Sequence, residues 1–450
     1  MVPKFGADYQ ASPANPSPGT WVTFPLMTSM RTQEELSRPW SSRTLRVNNE
    51  RVLLERLRAS GAASRAELAR VTGISKPTVS AALGNLEKAG LVRETGEMTV
   101  TAGRGRSAVL YEVNPTAGYV VGIDIGRSRI RVALADLEGE IRGRREVRNE
   151  VDGASGPEPI VATASRLARE VVAEAGLDWS HVVHTVVGTP GVFDPASNEV
   201  HYAGSLPGWG RTGVVDSLRA ELGESLSVHN DANLAALGEY VFGAGRGCPL
   251  LVFLMVGTGI GAGIVLDGRL FAGANGAAGE VGYLPYPPQA WEPARPRGGG
   301  APAACAAAPD AAAQEAYYQR GMLDAAAGGS AVTALAEEAG MRAPANPKQV
   351  FDAARAGDEA ALSAVRAEAG RLAHAIAAIA AMLDPALVVL GGGVGDNADL
   401  LLEPVYAALS ALTPLRPPIV PSALGGDAVL IGAIATALTT ARDLVFEGRL

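Results

Sequence analysis

Asn230-Asp231-Ala232-Asn233 places a carboxylate where a strand gives way to a helix. A carboxylate there can take the proton of a sugar hydroxyl as its oxygen attacks phosphorus; the same residues also read as an ordinary helix N-cap. Glu280 stands between glycines in Gly279-Glu280-Val281-Gly282-Tyr283. Its oxygens suit paired hydroxyls as acceptors, and a solvated turn residue has the same pattern. Two other segments suit phosphate. In Asp124-Ile125-Gly126-Arg127-Ser128 the carboxylate can orient a metal-bound water, while the Gly126 amide and the Ser128 hydroxyl donate to phosphate oxygens. A short hairpin with a surface Asp looks alike. Gly257-Thr258-Gly259-Ile260-Gly261-Ala262-Gly263 lets backbone approach a phosphate closely. It lacks the strand–helix context of a dinucleotide fingerprint, and a glycine-rich hairpin fits equally.

Near the N-terminus the chemistry is of another kind. Ser64-Arg65-Ala66-Glu67 is a capping box, and Gly73 ends the helix it opens. Ser75 caps a third helix with Pro77 in its first turn, and Val79, Leu83 and Leu86 fall on one face. A first helix carrying Val52, Leu53, Leu54 and Leu57 precedes them, and strands at 91–93 and 108–111 follow. Three helices and a hairpin make a winged helix-turn-helix over 42–114, or else a packing module without a ligand. As a DNA reader it would set Ser75, Lys76, Thr78 and Ser80 at the major groove. Short hydroxyl side chains contact bases or phosphates but encode sequence poorly. Arg104 and Arg106 at the wing suit a narrow minor groove.

These motifs need a frame to hold them. With 47% apolar and 19% charged residues, the 450-residue chain cannot be wholly disordered. Residues 1–41, rich in Pro, Ser, Thr and Gly, read as a disordered tail, with Met27 or Met30 as alternative starts. Lys4 has no continuous apolar segment behind it, so no signal peptide is expected. Residues 115–450 alternate strands and helices as an α/β body. Net charge divides as +5 over 42–114 and −13 over 115–450, so only one end suits a polyanion. Cys248 and Cys305 alone exclude a disulfide framework and a four-cysteine zinc site. Pro249–Leu266 is long and apolar enough to suggest a membrane span, but its alternating glycines favour strand–turn–strand, so no membrane partner is expected. Residues 286–314, rich in Pro, Ala and Gly, read as a loose loop.

Taken in order, Asp-x-Gly-x-Ser at 124–128, Gly-Thr-Pro-Gly at 188–191, Leu-Pro-Gly-Trp at 206–209, Asn-Asp-Ala-Asn at 230–233, Gly-Thr-Gly-Ile-Gly at 257–261 and Gly-Glu-Val-Gly at 279–282 resemble the ROK family (repressors, open reading frames and sugar kinases). Leu390-Gly391-Gly392-Gly393-Val394 is similar to that family's nucleotide-side glycines. The resemblance covers about 45–440. It implies an actin/hexokinase-like, two-lobed ATPase-type domain with a sugar cleft, following the winged helix. It implies Asp231 as catalytic base if the chain is a kinase. It places Asn230, Asp231, Glu280, Tyr283 and Glu315 around the sugar, and Asp124, Gly126, Ser128, Gly257, Thr258, Gly259 and Gly392 around the nucleotide.

Two departures stand out. Tyr283 takes the place of a His that in the family binds both sugar and zinc, and the family's cysteine motif is reduced to Cys305 near 295–313. One thiol without the His cannot build a four-ligand site, so structural zinc is not expected. Arg127 brings bulk to the first phosphate loop where the family's kinases carry Gly. The resemblance thus implies a sugar-responsive DNA-binding regulator, a repressor, with a sugar or sugar phosphate as effector. The alternative is an ATP- and Mg-dependent sugar kinase that kept its DNA module. Operator DNA as partner, a homodimer or homotetramer and a cytoplasmic location complete the expectation.

Overall fold

The computed structural model describes residues 42–100, 107–149, 156–204, 206, 208–286, 320–344 and 346–449. The expected tail, most of the 286–314 loop, Glu315, Arg104 and Arg106 lie outside the described residues. The chain divides into two compact units, residues 1–115 with the last two residues, and residues 116–448.

The smaller unit runs α1 (Ser42–Ser60), β1 (Ala63–Ser64), α2 (Arg65–Thr72), α3 (Lys76–Lys88), β2 (Val92–Val100) and β3 (Ser107–Val113), with sheet order β1-β3-β2. Local chemistry sets the boundaries. Ser64 Oγ accepts from the Glu67 amide at 3.2 Å, and Ser75 Oγ accepts from the Thr78 amide at 3.3 Å. Gly73, at φ 73°, adopts the left-handed cap that a side chain disfavours. Leu53, Leu54, Leu57, Leu68, Val79, Leu83 and Leu86 are buried, each worth roughly 1.5–3 kcal/mol on full burial. Two polar contacts cross this core. Glu50 accepts from Asn85 Nδ2 at 2.7 Å across α1 and α3, and the Tyr111 hydroxyl donates to Glu94 at 2.9 Å.

The larger unit repeats one plan in two lobes. The first has β4 (Tyr119–Ile125), β5 (Arg129–Asp136), β6 (Ile141–Arg148), α4 (Glu158–Glu174), β7 (Val182–Thr189), β8 (Val192–Asp194), β9 (Glu199–His201), α5 (Val214–Leu222), β10 (Leu226–Asn230) and α6 (Asp231–Phe242). Its main sheet has order β10-β7-β4-β5-β6, parallel on the β10 side of β4 and antiparallel on the other. The second has β11 (Leu250–Val256), β12 (Ile260–Leu266), β13 (Arg269–Leu270), α7 (Met322–Ala326), α8 (Gly329–Glu338), α9 (Pro347–Arg355), α10 (Glu359–Leu383), β14 (Leu387–Gly391), α11 (Gly392–Gly395), α12 (Ala398–Leu412) and β15 (Ile419–Pro421), with sheet order β13-β12-β11-β14-β15, and the closing helix α13 (Ala428–Arg449) returns to the first lobe, where Ile434 and Val445 lie against Gly122 and Gly118. Each lobe has its own core, built largely of Val, Ile, Leu and Ala.

Segment 249–266 is the antiparallel hairpin β11–β12, as its glycines require. Among the described residues only Gly425–Arg449 is long and apolar enough to cross a membrane, and most of its apolar window is buried. It crosses α6 at glycine contacts. A Cβ on Gly432 would lie 1.8 Å from the Leu234 carbonyl, and one on Gly238 2.5 Å from the Ala428 carbonyl. Buried Glu239 ties the same region together, accepting from the Leu424 amide at 2.9 Å and the Ala244 amide at 2.7 Å.

Candidate functional site

The strand–helix junction at Asn230 forms because the residue caps its own helix. Asn230 Oδ1 accepts from the Asn233 amide at 3.0 Å, and its Nδ2 donates to the Gly191 carbonyl at 3.1 Å. Asp231 opens α6, and its Oδ1 accepts from the Ala232 amide at 2.8 Å. Loss of water, and then the charge of Asp124, push its carboxyl up to about 6. Glu280 is pushed up to about 7 by loss of water and then by Asp231 and Asp324. Asp324 is itself raised by loss of water, against the pull of Arg320. Asp231 thus feels Asp124, and Glu280 feels Asp231 and Asp324, so these carboxylates lie within electrostatic reach of one another.

Asp324 is absent from the sequence reading. From α7 its Oδ1 accepts from the Ile260 amide at 2.8 Å, and its Oδ2 accepts from Arg320 at 2.7 Å. A Cβ on Gly259 would lie 2.0 Å from Asp324 Oδ1. The alternating glycines therefore do signal a close approach, but of a carboxylate 65 residues on.

The phosphate-like segments are largely satisfied by the protein itself. The Gly126 amide, expected to face phosphate, donates to the Arg129 carbonyl at 2.9 Å within its own turn. The Gly257 amide donates to the Gly259 carbonyl at 2.9 Å, and the Gly257 carbonyl accepts from the Gly329 amide at 2.8 Å. Thr258 stays half-buried in that turn, and the Ser128 side chain is exposed. Gly392 is obligatory: at φ 86° a Cβ would meet the Val256 carbonyl at 2.6 Å. Beneath this loop, buried Glu368 accepts from the Gly328 amide at 2.8 Å, and burial pushes it up to about 7.

Asp124, at the end of β4, is 4% exposed. Arg131, directly opposite on β5, donates to its Oδ2 at 2.8 Å and to Glu146 at 3.2 Å. Burial nevertheless pushes Asp124 up to about 6, against that guanidinium. A nearby clasp joins Arg144 to Asp427 through two bonds of 2.5 and 2.7 Å. In the kinase alternative, Mg bound with ATP needs a free carboxylate here. Asp124, already held by Arg131, does not fit that role in this arrangement. Among the described residues, no three His, Cys, Asp or Glu side chains are grouped to hold a metal ion.

On the smaller unit, Ser75, Lys76 and Ser80 are exposed at the start of α3. Thr78 is half-buried, and its hydroxyl is 2.7 Å from Ser75 Oγ. The cap thus consumes part of the hydroxyl surface expected at the groove.

A two-lobed kinase-like body carrying a winged helix is the class these features define. The ROK family profile matches residues 120–440, and the chain belongs to that family; a MarR family profile matches residues 51–99. The fold of the larger unit is actin/hexokinase-like. The chain is 31% identical to a glucokinase of Halalkalibacterium halodurans over 70% of its own length and 93% of that protein's. It is 29% identical to the xylose repressor of Bacillus subtilis over 52% of its length and 60% of the repressor's. Among solved structures it is similar to a ROK family glucokinase from Streptomyces griseus in complex with glucose and AMPPNP, at 27% identity and TM-score 0.56, covering 71% of this chain and 99% of that one. It shares the fold of a ROK family transcriptional regulator, a homolog of the E. coli MLC protein, with TM-score 0.66 over 90% of this chain and 99% of that one, at 23% identity.

Proposed function

We propose that this chain is a sugar-responsive transcriptional repressor that binds operator DNA through its winged helix. The observation that supports the reading is one chain holding both a capped helix α3 in a winged-helix unit and, in its larger unit, Asn230 and Asp231 at a strand–helix junction within electrostatic reach of Glu280. Relatives named as xylose repressors support it. In this reading, hydroxyls of the sugar donate to the Asp231 and Glu280 carboxylates, and the Asn230 amide fixes the adjoining turn. Sugar binds one arrangement of the lobes better than another, and that difference is all that can shift affinity for DNA. Ser75, Lys76, Thr78 and Ser80, with Arg104 and Arg106, serve the DNA. The protein works as a homo-oligomer on a pseudo-palindromic site, in the cytoplasm. Footprinting on the adjoining promoter, with and without sugars, tests this; no salt-resistant preference for that DNA over random sequence rejects it.

The second reading, a sugar kinase, is favoured by one feature: Asp231 with its carboxyl near 6, poised to take a proton at neutral pH. The engaged Gly126 amide and the Arg131–Asp124 pair argue the other way. An ADP-release assay over a sugar panel decides. Turnover that disappears in Asp231→Asn establishes the kinase, and a flat trace dismisses it.

A further inference from the structure

Tyr202 follows β9 in a backbone conformation that bulky residues avoid, with φ 58°. It is not held there by a core, because 60% of it is exposed. Its ring stands edge-to-face with Tyr283 at 5.6 Å between centroids and 72° between planes, and the His201 ring lies 6.3 Å away on its own strand's side. Strain of this kind gathers at binding sites, where surrounding structure fixes an unfavourable conformation for use.

The position of Tyr202 says which site. The Asn230 amide donates to the Gly191 carbonyl, and Gly191 has no Cβ because one would lie 2.5 Å from the His201 carbonyl. Tyr202 is the next residue. From the other lobe, Tyr283 closes the 3-10 turn that follows Glu280. The backbone path from Asn230 and the path from Glu280 therefore meet at these two rings. A pyranose presents hydroxyls around its edge and C–H groups on its faces. Carboxylates at the edge and an aromatic ring on a face match both, and an edge-to-face pair leaves ring surface uncovered.

We propose that Tyr202, beside Tyr283, is the stacking residue of the sugar site, and that the site takes an uncharged pyranose in preference to a sugar phosphate. The inference rests on the sugar-site reading above and deepens it. The charge preference follows from the neighbours. Asp231, Glu280 and Asp324 are carboxylates, and Arg320 is already paired with Asp324. A phosphate would add negative charge beside them.

Isothermal titration of the full chain with glucose, xylose, N-acetylglucosamine and glucose 6-phosphate tests this. Wild type is expected to bind at least one uncharged sugar and to bind glucose 6-phosphate at least about tenfold more weakly than glucose. Tyr202→Ala loses about tenfold or more in affinity for the bound sugar, whereas Tyr202→Phe stays within about twofold. Tyr202→Gly loses affinity as Ala does, yet raises the Tm of the sugar-free protein by releasing the left-handed strain. A purely structural tyrosine would lower Tm instead. Sugar affinity unchanged in Tyr202→Ala but lost in Glu280→Gln overturns this inference and leaves the site standing. Glucose 6-phosphate binding as tightly as glucose overturns the charge preference. No binding of any sugar by wild type overturns both readings together.

Discussion

The two halves of the cleft are built from similar residues and left in opposite states. On the sugar side, Asp231 is held up at about 6 by lost water and the charge of Asp124, and Glu280 at about 7 by lost water and the charges of Asp231 and Asp324, with no cation bonded to either among the described contacts. On the nucleotide side, Asp124 is bonded to Arg131, and the amides of Gly126 and Gly257 are spent inside their own turns. One half holds half-buried carboxylates with no cation on them; the other is bonded to itself. A carboxylate short of hydrogen-bond donors and partly withdrawn from water gains from a ligand that supplies hydroxyls. A half already bonded to itself gains less from a ligand, which must first break those bonds.

The largest expected effect breaks the satisfied half. Arg131→Ala leaves Asp124 buried without its cation, and urea unfolding at pH 8 should show a loss of about 3–5 kcal/mol, with the carboxyl moving further above its present value. A loss under about 1 kcal/mol would mean the pair is no stronger than a surface ion pair. Next, Glu280→Gln or Asp231→Asn should weaken sugar binding by about 10- to 100-fold, the worth of a charge-assisted hydrogen bond, with Tm unchanged or raised because a strained charge is removed. Unaltered calorimetric affinity would separate the carboxylates from the sugar.

The third prediction concerns pH. Both carboxyls lie above their ordinary values, so the charged, accepting forms dominate only above about 7. Sugar affinity should be level near pH 8 and fall through 7 and 6, by up to about tenfold per pH unit for each group once below its own value. A flat profile between pH 8 and 5.5 contradicts the assignment. The smallest effect lies beneath the Gly257 loop. Glu368 rises from 4.5 to about 7, so its contribution to stability is fullest below pH 4.5 and is lost as pH rises through 7. Glu368→Gln keeps an acceptor for the Gly328 amide and should stabilise the protein at pH 8 by about 1–3 kcal/mol, with no gain at pH 4.5. An equal change at both pH values would show that charge is not the cause.

What could be read in the sequence was what local chemistry decides. Ser64, Gly73 and Ser75 mark helix ends because their partners are within four residues. Strands β4, β5 and β11 were legible as apolar runs, and α10 as one long helix ending at Leu383. Over 192–222 and 398–412 the residue pattern predicts no element, yet β8, β9, α5 and α12 form there. Strands of three residues carry too little pattern to declare themselves, and α5 is a short helix between two glycines. At the site, Asn230, Asp231 and Glu280 stand out by type and neighbours. Arg131 does not, because its role follows from cross-strand register. Reflecting residue 124 across the 127–128 turn puts residue 131 opposite it. Asp324 and Tyr202 had no such local signal: one acts on an amide 64 positions away, and the other is defined by a backbone angle.

The central claim is that occupancy of the sugar hollow changes how the winged helix holds DNA. Footprinting of the adjoining promoter at fixed salt tests it most directly, with full-length wild type and Glu280→Gln, each with and without a sugar that wild type binds. The account predicts a protected pseudo-palindrome whose occupancy shifts with sugar in wild type and stays fixed in the variant. Protection that ignores saturating sugar in wild type, or that responds equally in the variant, would contradict it.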